Sequence, residues 1–172
     1  MAVLPEKLTF LLGGARSGKS AHAEQRITQF PAPWTYIATA QAYDEEMRER
    51  ISIHQSRRGD GWRTLDAPLD LVAALDSVAD GEPVLIDCLT LWLTNHMLAE
   101  HDVEAESARL VDVLSRPRGP WFVVANEVGL GIVPDNALAR RFRDAAGRLN
   151  QRVAAAADEV LFMVAGLPMK VK

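Results

Sequence analysis

The first segment whose residues could bind a ligand or take part in catalysis is Gly13 to Ser20, with the sequence GGARSGKS. It fits the pattern G-x-x-x-x-G-K-[ST], in which backbone N–H groups close around phosphate oxygens at the start of a helix. In that pattern Lys19 reaches the β- and γ-phosphates and the Ser20 hydroxyl binds Mg²⁺. A strand-like apolar run, residues 8–12, comes before it and a helical segment, residues 20–30, follows. These flanks favour a phosphate-binding P-loop over a plain glycine-rich turn.

A carboxylate inside a later apolar run is the second candidate. Residues 84–89, VLIDCL, predict a buried strand, and a charge near the end of such a strand needs a partner. Asp87 is either the acid that helps to hold Mg²⁺ opposite Ser20 or the cap of the helix that follows. Thr90 can cap that helix itself, and a P-loop needs a metal, so the first interpretation is favoured.

His54 is the third candidate, and the predicted helix that carries it shows which neighbouring residues share its face. Asp44 is a plausible N-cap for a helix that runs to about Arg58. One face of this helix carries Met47, Ile51, His54 and Arg58. A neutral imidazole is a competent nucleophile near pH 7, and Arg57 and Arg58 are placed to steady phosphate charge. The residues alone nevertheless favour a packed or surface histidine. The other histidines, which belong to no comparable pattern, are His22, His96 and His101.

Residues 126–134, NEVGLGIVP, follow the strand-like run at 121–125 and combine an amide, a carboxylate and glycines. A loop at the carboxyl end of a strand faces the ligand crevice of an open α/β sheet. The residues alone do not separate a substrate-contacting segment from a plain connector.

Strand-like and helix-like segments alternate along the chain, which predicts an α/β domain with a mainly parallel central sheet flanked by helices. The further predicted strands are 34–38, 62–65 and 159–165, with a possible edge strand at 169–172. The further predicted helices are 69–79, 90–100, one ending near Arg116, and 136–157. No repeat or long linker divides the chain, so we expect one nucleotide-binding domain over residues 1–172.

The composition excludes several classes of protein. Lys and Arg number 19 against 23 Asp and Glu, which gives a net charge of -4 and argues against a nucleic-acid partner. The single cysteine, Cys88, rules out a disulfide framework and is best explained as a small buried apolar residue. The N-terminal apolar run is too short for a signal peptide, and no run approaches the ~18 residues of a membrane span. We therefore expect a cytoplasmic protein.

Seven segments taken together resemble one family over nearly the whole chain. They are GGARSGKS at 13–20, YIATA at 36–40, DEEMRERISIH at 44–54, WRT at 62–64, DCLTLWLTN at 87–95, NEVGLGIVP at 126–134 and LARRFRDAAGRLNQRVAAAADEV at 138–160. This set is similar to the bifunctional adenosylcobinamide kinase and adenosylcobinamide-phosphate guanylyltransferase family. It is far more specific than a P-loop alone.

The resemblance implies a RecA-like P-loop fold, a homotrimer and two reactions in coenzyme B12 assembly. ATP or GTP phosphorylates adenosylcobinamide, and GTP then donates GMP to that phosphate through a guanylylated histidine, which matches His54. Lys19 is the other catalytic residue, and Ser20 and Asp87 are the metal ligands. The implied nucleotide contacts are Gly13, Gly14, Ala15, Arg16, Ser17, Gly18, Lys19, Ser20, Ala38, Thr39, Ala40, Gln55, Ser56, Arg57, Arg58, Asp66 and Asp87.

Two departures from the family are visible. Asp87 stands where members often carry Glu, and a single His stands where some members have two in succession. Both carboxylates are hard oxygen ligands, so the expected chemistry is unchanged. The nearest alternative is a P-loop small-molecule kinase that lacks the covalent step. A regulatory GTPase is disfavoured because no N/T-K-x-D motif occurs, and a DNA-dependent ATPase is disfavoured by the acidic charge balance.

Overall fold

A seven-stranded sheet forms the centre of the structure, a computed structural model that describes residues 3–172. Its strands are β1 (Lys7–Gly13), β2 (Trp34–Ala38), β3 (Trp62–Asp66), β4 (Val84–Asp87), β5 (Pro120–Asn126), β6 (Glu159–Val164) and β7 (Leu167–Lys170). They are ordered β3-β2-β4-β5-β1-β6-β7. Every neighbouring pair is parallel except β6 with β7. The prediction of an α/β fold with a mainly parallel sheet is therefore confirmed.

Helices cover both faces of this sheet. They are α1 (Lys19–Ile27), α2 (Glu45–Arg57), α3 (Leu71–Asp76), α4 (Leu89–Leu98), α5 (Val103–Leu114) and α6 (Ala137–Ala156). The larger core cluster contains buried residues from α3, α4, α5 and α6, and the smaller one contains Ala23 and Ile27 from α1. No residue of α2 is buried. This helix therefore lies outside both cores.

The residues of β5 show how the two faces are separated. Trp121, Val123 and Ala125 belong to the larger core cluster, whereas Phe122 and Val124 belong to the smaller one. Successive side chains of a strand point to opposite faces, so a central strand covered on both sides is apolar throughout. Positions of even number in β5 therefore point towards the face that α1 covers.

Some element boundaries differ from the sequence-based expectation. Helix α3 begins at Leu71 rather than Leu69, because the Asp70 side chain caps it by accepting a hydrogen bond from Ala73 N at 3.0 Å. The last strand starts at Leu167, two residues earlier than expected. The turn before it has positive φ at Ala165 (51°) and Gly166 (79°), which suits a two-residue hairpin turn.

Residues 1 and 2 of the predicted domain lie outside the described residues. Among residues 3–172, no helix has the length and apolar character needed to cross a membrane.

Candidate active site

The P-loop joins β1 to α1 and depends on two of its glycines. A Cβ added to Gly13 would lie 2.6 Å from Ser17 Oγ and 2.8 Å from Met163 O, so no larger residue fits there. Gly18 is the N-cap of α1 with φ of 91°, a conformation that side chains other than glycine rarely adopt. Arg16 lies at the exposed tip of the loop, also with positive φ (54°). The loop thus has the strand-to-helix context that phosphate binding requires.

Lys19 lies inside the loop rather than on the surface. Its side-chain Nζ donates a hydrogen bond to Gly14 O at 2.6 Å, and the residue is buried. Burial lowers the pKa of Lys19, while the nearby Cys88 and Asp87 raise it by smaller amounts. An ammonium group that has lost much of its water gains from an anionic ligand, because a phosphate restores favourable electrostatic contacts.

Asp87 connects the P-loop to the sheet. Its Oδ2 accepts hydrogen bonds from Ser20 Oγ at 2.7 Å and from Tyr36 Oη at 3.0 Å. No side chain caps α4, whose N-cap residue is Cys88, so the geometry does not support the capping interpretation of Asp87. Tyr36 is a site residue that the sequence did not reveal. Burial, followed by the charge of Asp87, raises the pKa of its phenol, which keeps the hydroxyl protonated as a donor.

The oxygen donors here fit a magnesium ion. Mg²⁺ is usually held by one or two side chains and completed by water and substrate phosphates. Ser20 and Asp87 supply a hydroxyl and a carboxylate in direct contact, and Asp87 Oδ1 makes no hydrogen bond to the described residues. Within residues 3–172, no group of three or more His, Cys, Asp or Glu side chains is arranged to hold a metal ion.

The carboxyl ends of four neighbouring strands place the remaining polar groups. Ala38 of β2 is in register with Asp66 on one side and with Asp87 on the other. On the far side of β4, Asn126 at the end of β5 is in register with Gly13. Asn126 is two residues after Val124 in the same strand, so their side chains point to the same face of the sheet. That is the face covered by α1, where Ser20 contacts Asp87. The sequence pointed to this loop but did not show that Asn126 lies beside the P-loop.

Helix α2 covers the site on the side opposite the carboxyl ends of the strands. Asp44 caps it through a 2.8 Å hydrogen bond from Met47 N, as the sequence predicted. Between α2 and the sheet lies a cavity of about 360 Å³. Its lining residues are Ser20, Tyr36, Ala38, Ala40, Met47, Arg50, Ile51, His54, Gln55, Arg58, Asp66, Asp87 and Leu91. The structure therefore brings His54, which is exposed, to the same cavity as the Ser20–Asp87 pair.

Arg58 holds the carboxyl end of α2 against the sheet. Its guanidinium carbon lies 3.6 Å from the centre of the Tyr36 ring, a cation–π contact. Its Nη1 is buried and has no hydrogen-bond partner among residues 3–172. Glu24 of α1 lies nearby: burial raises the pKa of its carboxyl group, while Arg58, His54 and Arg57 lower it. A buried guanidinium donor without a partner suits an anionic ligand.

Several predicted site residues do not line the cavity: P-loop residues 13–19, Thr39, Ser56 and Arg57. Thr39 is fully buried, and its hydroxyl donates to Cys88 O at 2.7 Å and accepts from Cys88 N at 2.9 Å, which joins the ends of β2 and β4. Ser56 and Arg57 are exposed. Their contacts with nucleotide stay predictions.

The remaining histidines lie away from the cavity, as the sequence suggested. His96 is buried, its Nε2 is 2.9 Å from Leu69 O, and its Nδ1 is 3.0 Å from the Nδ1 of His101. A carbonyl only accepts, so Nε2 of His96 must donate to it. His22 on α1 is not among the residues that line the cavity.

Comparison with known proteins decides the family. The profile of CobU, described as cobinamide kinase / cobinamide phosphate guanyltransferase, matches residues 9–171. The chain belongs to this family. The chain is 48% identical to the bifunctional adenosylcobalamin biosynthesis protein CobP of Pseudomonas aeruginosa, over 94% of this chain and 95% of that one. It is 41% identical to the bifunctional adenosylcobalamin biosynthesis protein CobU of Salmonella typhimurium, over 96% of this chain and 99% of that one. Cobinamide kinase and guanylyltransferase activity is the function of this family.

Solved structures support the fold of this CobU family member. The flagellar accessory protein FlaH of Methanocaldococcus jannaschii superposes with a TM-score of 0.55 and 13% identity, over 99% of this chain and 80% of that one. A prototypical ATPase of a bacterial type III secretion system gives a TM-score of 0.56 at 12% identity, over 98% of this chain and 58% of that one. At such low identity the likeness concerns the fold alone, and it confirms the expected RecA-like P-loop architecture.

Proposed function

We propose that the cavity between α2 and the sheet serves both family reactions in this chain. Adenosylcobinamide is phosphorylated by ATP or GTP, and GMP is then transferred from GTP to the product by way of His54. The observation that carries the proposal is that His54 lines the same cavity as Ser20 and Asp87. Ser20 Oγ and Asp87 Oδ2 are 2.7 Å apart. A kinase without a covalent step would give no reason for a histidine at that place.

In the kinase step the hydroxyl of the aminopropanol arm attacks the γ-phosphorus. A bond forms between that oxygen and phosphorus, the bond to the β,γ-bridging oxygen breaks, and the hydroxyl proton is released. Lys19 and the P-loop N–H groups hold the β- and γ-phosphates, because phosphoryl transfer depends almost wholly on positioning and charge stabilisation. Ser20 and Asp87 would hold Mg²⁺, which supplies charge neutralisation at the phosphates when it is bound.

In the guanylyl step a ring nitrogen of His54 attacks the α-phosphorus of GTP. A nitrogen–phosphorus bond forms and pyrophosphate leaves; a phosphate oxygen of adenosylcobinamide phosphate then displaces the histidine and restores it. Splitting one displacement into two lowers each barrier. Arg58, whose Nη1 is buried without a hydrogen-bond partner among residues 3–172, is positioned to donate a hydrogen bond to a phosphate oxygen.

The other nucleotide contacts, the assembly and the location belong to this proposal. The P-loop, Ala38–Ala40, residues 55–58, Asp66 and Asp87 bind the nucleotides. The active form is a homotrimer. It works in the cytoplasm, where its nucleotide substrates and a reduced Cys88 are expected.

Incubation with adenosylcobinamide, GTP and Mg²⁺, followed by mass spectrometry of the corrinoid, tests the proposal. The expected products are first adenosylcobinamide phosphate and then adenosylcobinamide-GDP. Accumulation of the phosphate without any GDP adduct, at saturating GTP, would restrict the chain to a kinase. An unchanged corrinoid would contradict both steps.

A further inference from the structure

The loop between β5 and α6 exposes large apolar side chains beside the candidate active site. Leu130 is 81% exposed, Ile132 is 97% exposed and Val133 is 61% exposed. These three residues form what we call the apolar loop surface. Single exposed apolar residues are ordinary, but several within four consecutive positions of one loop indicate a binding surface.

The backbone of this loop is held in place although its side chains are free. Arg143 of α6 donates hydrogen bonds to Gly129 O at 2.6 Å and Gly131 O at 3.2 Å. Gly129 N donates to Glu127 Oε1 at 2.6 Å, and Arg140 donates to Pro134 O at 2.9 Å. A loop that is already fixed loses little conformational entropy when a ligand binds.

The loop begins where phosphoryl transfer must occur. Glu127 N donates to Gly13 O at 2.9 Å, and Asn126 is in register with Gly13. Since β5 lies between β1 and β4 in the sheet, the loop starts between the P-loop and Asp87. A molecule that presents a hydroxyl to a γ-phosphate held by Lys19 must therefore pass close to this loop.

The cavity under α2 is too small for the whole acceptor. Its volume of about 360 Å³ is near the lower limit for small-molecule sites, which run from roughly 300 to 1,000 Å³. A corrinoid is a large macrocycle with methyl-bearing apolar faces, amide groups at its edge and a single flexible aminopropanol arm. The aminopropanol arm is thin enough to enter the cavity and reach the phosphate. The corrin ring must stay outside the cavity, where it needs an apolar surface to bind.

We propose that the apolar loop surface binds the corrin macrocycle, while Asn126 at the start of the loop faces the aminopropanol arm at the phosphate. This inference rests on the proposed function, because it takes cobinamide as the acceptor. It assigns the corrinoid a site on the β5–α6 loop that is separate from the nucleotide contacts of the P-loop and α2.

The test compares the double variant Leu130→Ser/Ile132→Ser with the wild-type protein in equilibrium dialysis against dicyanocobinamide. We expect the Kd for the corrinoid to rise at least about tenfold, since tenfold corresponds to about 1.4 kcal/mol and one buried large apolar side chain supplies that much. The Kd for a fluorescent GTP analogue should change less than twofold. Thermal unfolding should be unaltered because both side chains are exposed. The matched control is Val171→Ser, which removes a 67% exposed apolar residue beside Val160, near the amino end of β6.

Each result bears on a different claim. An unchanged corrinoid Kd in the double variant would overturn the assignment of the loop while leaving the proposed function intact. If the double variant had a lower molar mass than the wild-type protein by light scattering, the loop would lie between copies of the chain. That result would also overturn the assignment of the loop to the corrinoid. If the wild-type protein bound GTP but no corrinoid, the proposed function would fail together with the loop assignment.

Discussion

Asp87 receives two hydrogen bonds on one oxygen, from Ser20 of α1 and from Tyr36 of β2. Two donors that come from different elements fix the carboxylate more firmly than either alone. Asp87 Oδ1 then points in a defined direction. Metal ligands are commonly oriented by hydrogen bonds from neighbouring groups in this way. Tyr36 is thus a positioning residue for the proposed Mg²⁺ site.

Removing the phenol hydroxyl should loosen Asp87 without disturbing the fold. In Tyr36→Phe we expect the Mg²⁺ concentration for half-maximal kinase activity to rise about 3- to 10-fold, because one hydrogen bond to a charged group is lost. Binding of Mn²⁺ to the protein–nucleotide complex, followed by electron paramagnetic resonance, should weaken in parallel. Asp87→Asn, which removes the charge itself, should have the larger effect on both measurements. Equal Mg²⁺ requirements in wild type and Tyr36→Phe would deny Tyr36 this role.

Lys19 is the single cation buried inside the P-loop among residues 3–172. Lys19→Ala should reduce the kcat of phosphorylation by at least about 10²-fold, since charge on the transferring phosphoryl group would lose its main stabilising partner. Steady-state assay of adenosylcobinamide phosphate formation measures this. Lys170→Ala is the control, because it removes an exposed lysine of β7 that belongs to neither the P-loop nor the cavity. Kinase turnover near the wild-type rate in Lys19→Ala would remove the P-loop assignment.

At the scale of elements, α2 differs from its neighbours. It carries His54, yet none of its residues is buried. Two features hold its ends: the Asp44 cap at Met47 N and the stacking of Arg58 on Tyr36. Helices with little burial open locally at low free-energy cost. Helix α2 is therefore the element of the site that is easiest to displace.

Breaking the stacking contact should loosen α2 alone. In Arg58→Gln we expect amide hydrogen exchange over residues 45–57 to be at least about twofold faster, since a cation–π contact contributes about 0.5 kcal/mol or more. Exchange in β1 and β5 should stay unchanged. The same measurement on Arg48→Gln is the control, because Arg48 pairs with Glu45 on the exposed side of the helix. Exchange in α2 that is as slow in Arg58→Gln as in wild type would show that the contact does not hold the helix.

The sequence predicted the elements well because each has local signals. The strand-to-helix context of the P-loop, the Asp44 cap and a strand that starts at Val84 are confirmed in the structure, although that strand ends at Asp87 rather than at Leu89. The order of the strands carries no such signal, since parallel strands pair through long connections. Only that order places Asn126 beside Gly13. The contact of Tyr36 with Asp87, residues 51 apart in sequence, is likewise a product of tertiary packing.

At the scale of the whole molecule, the site lies at the carboxyl edge of the sheet, with α2 covering one side of it. A chain of 18.9 kDa that must hold both a nucleotide and a corrinoid has little surface to enclose them. We expect sizing by light scattering to give three times this mass, as the family resemblance implies. A monomer that is fully active at the assay concentration would contradict the trimer.

The central claim is that one cavity performs a kinase step and a covalent guanylyl step, and His54 separates the two. GTP labelled at the α-phosphate should leave GMP on the protein without any corrinoid, as a phosphoramidate that is labile to acid and stable to base. His54→Ala should lose this label and the GDP adduct, while phosphorylation of adenosylcobinamide continues at least in part, because that step needs no protein nucleophile. His101→Ala, an exposed histidine outside the cavity, should keep both. A label that persists in His54→Ala would contradict the account.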